Sequence, residues 1–289
     1  MSAPLVLAVV VGTVLAAQLV RAYRADERPV ERWARARGLE LTPESRPVVA
    51  RYLRRARVLR TWGAVAGVVV PSLASLVFSD RVEVLGFGTD GDAAPLAFGW
   101  IFVGYLAGAL CAELSVGRPR SGPRRAASLA RRELGSYLSP RLLLGQRAGT
   151  AAAAAGLLTM AAVPYPDSIS MPGTASLVAA AAAVVALDIG LEAVERWLVR
   201  RPQPYTSPAL VATDDAIRAQ SIEAFAEAGL ALLLLLCAGV SLALQASDVT
   251  VLHWAMVVPA VVCLLLSLVV SRDIAEHSAP RRARGVAAA

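Results

Sequence analysis

Seven apolar stretches, near residues 3–20, 61–78, 95–113, 148–164, 175–193, 228–245 and 251–270, divide this chain, and the segments between them alternate in charge. Each stretch is long enough, at about 1.5 Å per residue, to cross most or all of a bilayer core of about 30 Å. The segments after the first, third, fifth and seventh stretches hold all but one of the 29 basic residues. Those after the second, fourth and sixth hold only Arg81, against Asp80, Glu83, Asp90, Asp92, Asp167 and Asp248. Basic residues collect on the cytoplasmic side of a membrane. The pattern therefore predicts an all-α, polytopic transmembrane bundle of about seven spans, with its N-terminus outside and its C-terminus inside. A single transmembrane domain is expected over residues 1–289, with cytoplasmic loops at 21–60, 114–147 and 194–227 and a cytoplasmic tail at 271–289.

Composition narrows the function classes. With 289 residues, 56% of them hydrophobic, and a mean hydropathy of +0.57, the chain is too apolar for an ordinary soluble domain. The net charge of +7 does not call for a nucleic-acid partner, because orientation in a membrane already accounts for the inner arginines. Arg51, Arg54, Arg55, Arg57 and Arg60 cluster just before the second stretch, where anionic lipid head groups are the expected contact. Lysine and asparagine are absent, which excludes a retinal Schiff base and N-glycosylation. Cys111, Cys237 and Cys263 all fall within apolar stretches, with no Cys-x-x-Cys or Cys/His cluster, so neither a disulfide framework nor a zinc site is expected. The first stretch follows a start without basic residues and precedes Arg21, Arg24 and Arg28. That order fits a retained anchor, not a cleaved signal.

Spans one and two, three and four, and five and six read as hairpins joined by the inner loops. Each inner loop carries a helix start of one kind: Thr42-Pro43, Ser139-Pro140 and Ser207-Pro208. The hydroxyl can cap orphan N–H groups, and proline at the first helical position has no N–H to leave unpaired. Helices are thus expected to run from these starts into spans two, four and six. Val48, Val49, Tyr52, Leu53, Ala56 and Leu59 form a helical apolar stripe against an arginine face. Such a helix either lies along the inner membrane surface or extends span two. The pairs Gly63/Gly67 and Gly104/Gly108 fit the Gly-x-x-x-Gly spacing that lets helices approach closely in lipid. Trp62 and Trp197 near the inner boundary, and Tyr165 and Trp254 near the outer one, suit aromatic belts. The outer segment around Thr89-Asp90-Gly91-Asp92 lacks the later carboxylate of a calcium loop and reads as a solvated turn.

The sharpest candidate for chemistry lies on span five. Asp188, Glu192 and Glu195 are spaced four and then three apart, within about 60° of one helix face. Asp188 should sit about 20 Å from the outer end of that span. Glu113, at the inner end of span three, has a comparable place, as do Glu223 and Glu227 where span six begins. A carboxylate at such depth costs about 2.5–3.5 kcal/mol on insertion scales, so it should face protein or water and have a partner. The functional reading is a proton or cation pathway opening to the cytoplasm. The structural reading pairs these acids with Arg147, Arg196 and Arg218, tying the hairpins together.

Catalytic signatures are missing: no His-Glu-x-x-His, Gly-x-Ser-x-Gly, P-loop or Gly-x-Gly-x-x-Gly occurs, and His253 and His277 are the only histidines. Neither an enzyme activity nor a cofactor is expected, and any ATP-driven role would need an ATPase subunit as partner. The segments RRPQPYTSPALVATDDAIRAQS (200–221) and LTPESRPVVARYLRRAR (41–57) resemble inner segments of uncharacterised integral membrane proteins of high-GC actinobacteria. The resemblance implies a location in a bacterial cytoplasmic membrane and no activity. The expectation is a non-catalytic membrane component of a transport system, working with a cytoplasmic protein docked on the inner loops. The alternatives are a self-contained proton-coupled carrier using Asp188 and a membrane scaffold or sensor.

Overall fold

The computed structural model describes residues 28–77, 94–116, 133–165, 172–201 and 207–245, together with isolated positions between 247 and 266. The described residues are all-helical, with no strand among them. In chain order the helices are α1 (Arg28–Ala36), α2 (Ser45–Val77), α3 (Ala94–Val116), α4 (Pro140–Ala162), α5 (Thr174–Arg200) and α6 (Pro208–Gln245), with a 3-10 turn at Leu134–Ser136. Two of them, Thr174–Arg200 and Pro208–Gln245, are long and apolar enough to cross a membrane, and Trp100–Ser115 is a shorter apolar helix. The stretch at 95–113 lies within α3, and those at 61–78 and 148–164 are helical as far as Val77 of α2 and Ala162 of α4. The first stretch and the segment around Asp90 lie outside the described residues, as do Cys263 and both histidines.

The helices begin where local chemistry places their caps. The Ser139 hydroxyl accepts from the Leu142 N–H, and Pro140 opens α4. Pro208 likewise opens α6 after Ser207. At α2, Thr42 and Ser45 satisfy each other: Ser45 N–H donates to the Thr42 hydroxyl, and Thr42 N–H donates to the Ser45 hydroxyl. From there α2 runs unbroken to Val77, along the second apolar stretch. The Val49–Tyr52–Ala56 stripe therefore extends that stretch and packs on α1, Ala112 of α3 and Ile217 of α6. Nothing in the charge pattern had marked α1, which lies in the segment read as a loop. It buries Val30, Trp33 and Ala34. Gly38 ends it in the left-handed conformation, φ 61°, with Leu39 N–H reaching the Ala34 carbonyl and Gly38 N–H the Arg35 carbonyl. A side chain at Gly38 would oppose this termination.

Register gives the direction of each helix. Gly63 faces Gly104 and Gly108, while Gly67 faces Trp100 and Gly104, so α2 and α3 are antiparallel. Their backbones meet so closely that a Cβ on Gly63 would land on the Gly104 carbonyl, and one on Gly104 on the Gly63 carbonyl. Gln146 meets Glu195 at one end of α4, and Met160 clusters with Leu177 at the other, so α4 and α5 are antiparallel. Gly145, Gly149 and Gly156 of α4 face Leu230, Leu233 and Val240 of α6, so those two are parallel. α6 is the central helix, packed against α3, α4 and α5 and more lightly against α2. Spans three and four, expected as a hairpin, are not principal neighbours: α3 packs mainly on α2 and α6, and α4 on α5 and α6.

Candidate functional site

Polar side chains of α2, α3 and α6 and the end of α5 converge at one end of the bundle. The point of convergence follows from length. α2 has 33 residues and α6 has 38, or about 50 and 57 Å at 1.5 Å each, so both overrun the apolar part of the bundle. Their first halves, with α1 and the last turns of α3 and α5, enclose a buried ion cluster.

Glu113 is its hub and is fully buried. One carboxylate oxygen accepts from the Ser221 hydroxyl, and the other meets Nη1 of Arg201 at 3.3 Å. The Ser221 oxygen also lies 3.0 Å from the Tyr52 hydroxyl. Arg201 turns its Nη2 to Asp214 at 3.4 Å. Asp214 uses its second oxygen for Nη2 of Arg218 at 3.0 Å. Nη1 of Arg218 donates to the carbonyls of Val199 and Arg201, both at 2.8 Å, which ties the end of α5 to α6. Burial and the nearby Glu113 carboxylate push the Tyr52 phenol up to about 12, so it stays neutral and can donate. The arrangement is a closed lattice of charge-assisted bonds, in which both carboxylates have their oxygens engaged.

A second polar seam holds α1. Gln220 accepts from Nη2 of Arg37 at 2.7 Å and from the Trp33 indole at 3.4 Å, and Arg37 also pairs with Glu223. Further along, the Tyr137 hydroxyl donates to Asp215 at 2.6 Å. Arg37–Glu223, Arg46–Glu31 and the pairs of Glu113, Asp214 and Glu192 all lie toward this end.

The acids read from the sequence take separate places. Glu113 enters the cluster. Glu192 is held by Arg147 at 3.0 Å and Arg196 at 2.8 Å, on a partly exposed surface. Glu195 is buried and accepts from Gln146 at 3.4 Å. Asp188 is partly buried on α5 and forms no hydrogen bond or ion pair among the described residues. Glu227 is partly buried. Arg218 pairs with Asp214, four residues back on its own helix, and not with the span-five acids. The arginines in the first half of α2 also divide. Arg51, Arg54 and Arg55 are exposed and Arg57 is partly buried. Arg60 instead turns its guanidinium over the Tyr105 ring, 5.8 Å from the centroid. Trp62 and Trp197 are exposed at this level. Of the cysteines, Cys237 is buried against the Gly149 carbonyl and Cys111 is exposed.

Sequence reasoning missed Asp214, Arg201, Ser221 and Gln220, and read Tyr52 only as an apolar stripe residue. One signal was available: Asp214, Arg218 and Ser221 are spaced four and then three apart, which puts a charge pair and a hydroxyl on one face of α6. Comparison with known protein families, with curated proteins and with solved structures finds no match for this chain.

Proposed function

We propose that this is a multi-pass membrane protein acting as the non-catalytic membrane component of a transport system, with a cytoplasmic partner bound at its arginine-rich end. Membrane embedding is supported by α5, whose apolar window is only 22% buried. That face includes Val178, Val185 and Ile189, all exposed, and an apolar surface of that kind is covered by lipid or protein. The observation that carries the functional reading is the division of charge at the polar end. The acids of the cluster are consumed internally, while Arg51, Arg54 and Arg55 stand outward on α2, which has no acidic residue. A rigid interior with an unneutralised basic rim suits recognition of an acidic partner surface more than passage of a substrate.

The test is purification from native membranes in mild detergent, for the wild type and for R51E/R54E/R55E. The expected result is a stoichiometric soluble partner with the wild type, lost with the triple variant at unchanged thermal stability. A solitary wild-type protein would overturn the reading.

One observation favours a second reading, a self-contained proton-coupled carrier: Asp188 sits on an apolar helix without a described partner, and intramembrane carboxylates commonly mark ion paths. Proton flux into liposomes that is abolished by Asp188→Asn, with folding intact, would establish it.

A further inference from the structure

We propose that Arg60, with Arg57 one turn before it, binds a phosphate-type oxyanion at the arginine-rich end of the α2–α3 pair. The Nε and Nη2 atoms of Arg60 are closed off from solvent and have no hydrogen-bond partner. These two atoms form the side-on edge of a guanidinium, the edge that grips two oxygens of one oxyanion. The face of the group rests on Tyr105, which also stabilises its charge, while Nε and Nη2 stay covered and without a hydrogen-bond partner.

Local charge points the same way. Three arginines, Arg60, Arg201 and Arg218, are set against two acids, Glu113 and Asp214, leaving one cation in excess. Arg60 lies within electrostatic reach of Glu113 and Tyr52. Both Glu113 oxygens are taken, by Ser221 and Arg201. Asp214 serves Arg201 and Arg218, Asp215 serves Tyr137, and Glu223 serves Arg37. The segment 117–132 that follows α3 contains arginines and no acid. Tyr105, Tyr52 and Glu113 already favour the charged guanidinium, but its two unsatisfied N–H groups remain costly to bury, and a bound anion removes that cost. Arg60 directly precedes the second apolar stretch, at the depth of lipid phosphates, and Arg57 lies on the same helix face to share a charge. The incoming anion takes the Nε–Nη2 edge by displacing the ring of Tyr105 or drawing the guanidinium outward.

The shared chemistry is phosphate, supplied either by an anionic lipid head group or by free phosphate. The lipid source rests on the membrane reading; the free-phosphate source does not. The full-length protein is first delipidated in detergent, and its thermal midpoint is measured with added phosphatidylglycerol, oleic acid or inorganic phosphate. A rise with phosphatidylglycerol alone, with the lipid retained in native mass spectrometry, assigns the lipid source. A rise with inorganic phosphate assigns the free anion. In either case the rise should vanish in Arg60→Gln and persist in Arg51→Gln. Arg60→Lys, which keeps the charge but loses the two-pronged edge, covers the case in which the glutamine variant does not fold, and should weaken binding about tenfold. No rise in the wild type with either phosphate compound would overturn the proposal. So would an equal rise with oleic acid, or a rise undiminished in the Arg60 variants. Failure to reconstitute into bilayers would sink the membrane reading while leaving the inorganic-phosphate result standing.

Discussion

The two ends of this bundle are held by different physics. Toward Met160, Leu177 and Leu244 the contacts are apolar, and along α2 and α3 the backbones meet over bare glycine. At the opposite end Glu113, Arg201, Asp214 and Arg218 interlock. Glycine contacts depend on shape and tolerate no added atom. Ion contacts depend on charge balance, and their failure is governed by whichever partner is left behind. One region therefore resists enlargement and the other resists partial removal.

The largest test attacks the ionic end. Asp214→Ala strands Arg218 and one arm of Arg201, and removing one partner of a buried pair costs about 3–5 kcal/mol; chemical or thermal unfolding in detergent measures it. Glu113→Leu combined with Arg201→Leu should cost less than the sum of the two single changes, because it removes both halves of one pair. A sum that is fully additive would mean that this end is not the coupled unit described. Gly104→Val attacks the other region, forcing α2 and α3 apart for about 1–3 kcal/mol or more; no loss of thermal midpoint would deny the close crossing.

Tyr52 sharpens the contrast through pH. Burial raises its phenol from 10.0 to about 12, so the folded state holds this proton more tightly than the unfolded state. Its contribution to stability is complete below pH 10 and is lost as pH rises through about 12. Phenolate absorbance in Tyr52→Phe should lack this late-titrating group, and alkaline unfolding of the variant should shift accordingly. The smallest effect belongs to Arg147→Ala. Its side chain is 64% exposed beside Glu192, and such a pair contributes about 0.2–1 kcal/mol, diminished by salt. A larger loss would extend the ionic region to the bundle surface.

What the sequence revealed follows the same divide. Helix starts at Ser139-Pro140 and Ser207-Pro208 were legible because a hydroxyl residue followed by proline is a local signal, and at Ser139 the cap closes three residues on, at Leu142. The glycine pairs were legible because four-residue spacing is local, although their partnership across α2 and α3 was not. Depth alone placed Arg218 opposite the acids of span five, but a carboxylate one turn away on its own helix is the nearer partner. Glu113 was visible as a deep acid, whereas Ser221 and Arg201 were not visible as its partners. Nothing in one chain says that α6 stands beside α3, so the face shared by Asp214, Arg218 and Ser221 carried no mark of the acid it would meet. α1 escaped because arginine frequency in 21–60 masked the Val30–Trp33–Ala34 face and the terminating Gly38.

The wiring of Glu113 also sets an order of events during synthesis. Its partners follow 88 and 108 residues later in the chain. At about 5–20 residues per second, that is a wait on the order of ten seconds between emergence of the acid and arrival of Arg201 and Ser221. Through that interval α3 holds a carboxylate that has no lasting home, and α6, which follows last among the described helices, closes the structure around it. A chain halted before residue 201 would leave this helix incompletely assembled, and quality control could recognise it by that one unmet charge.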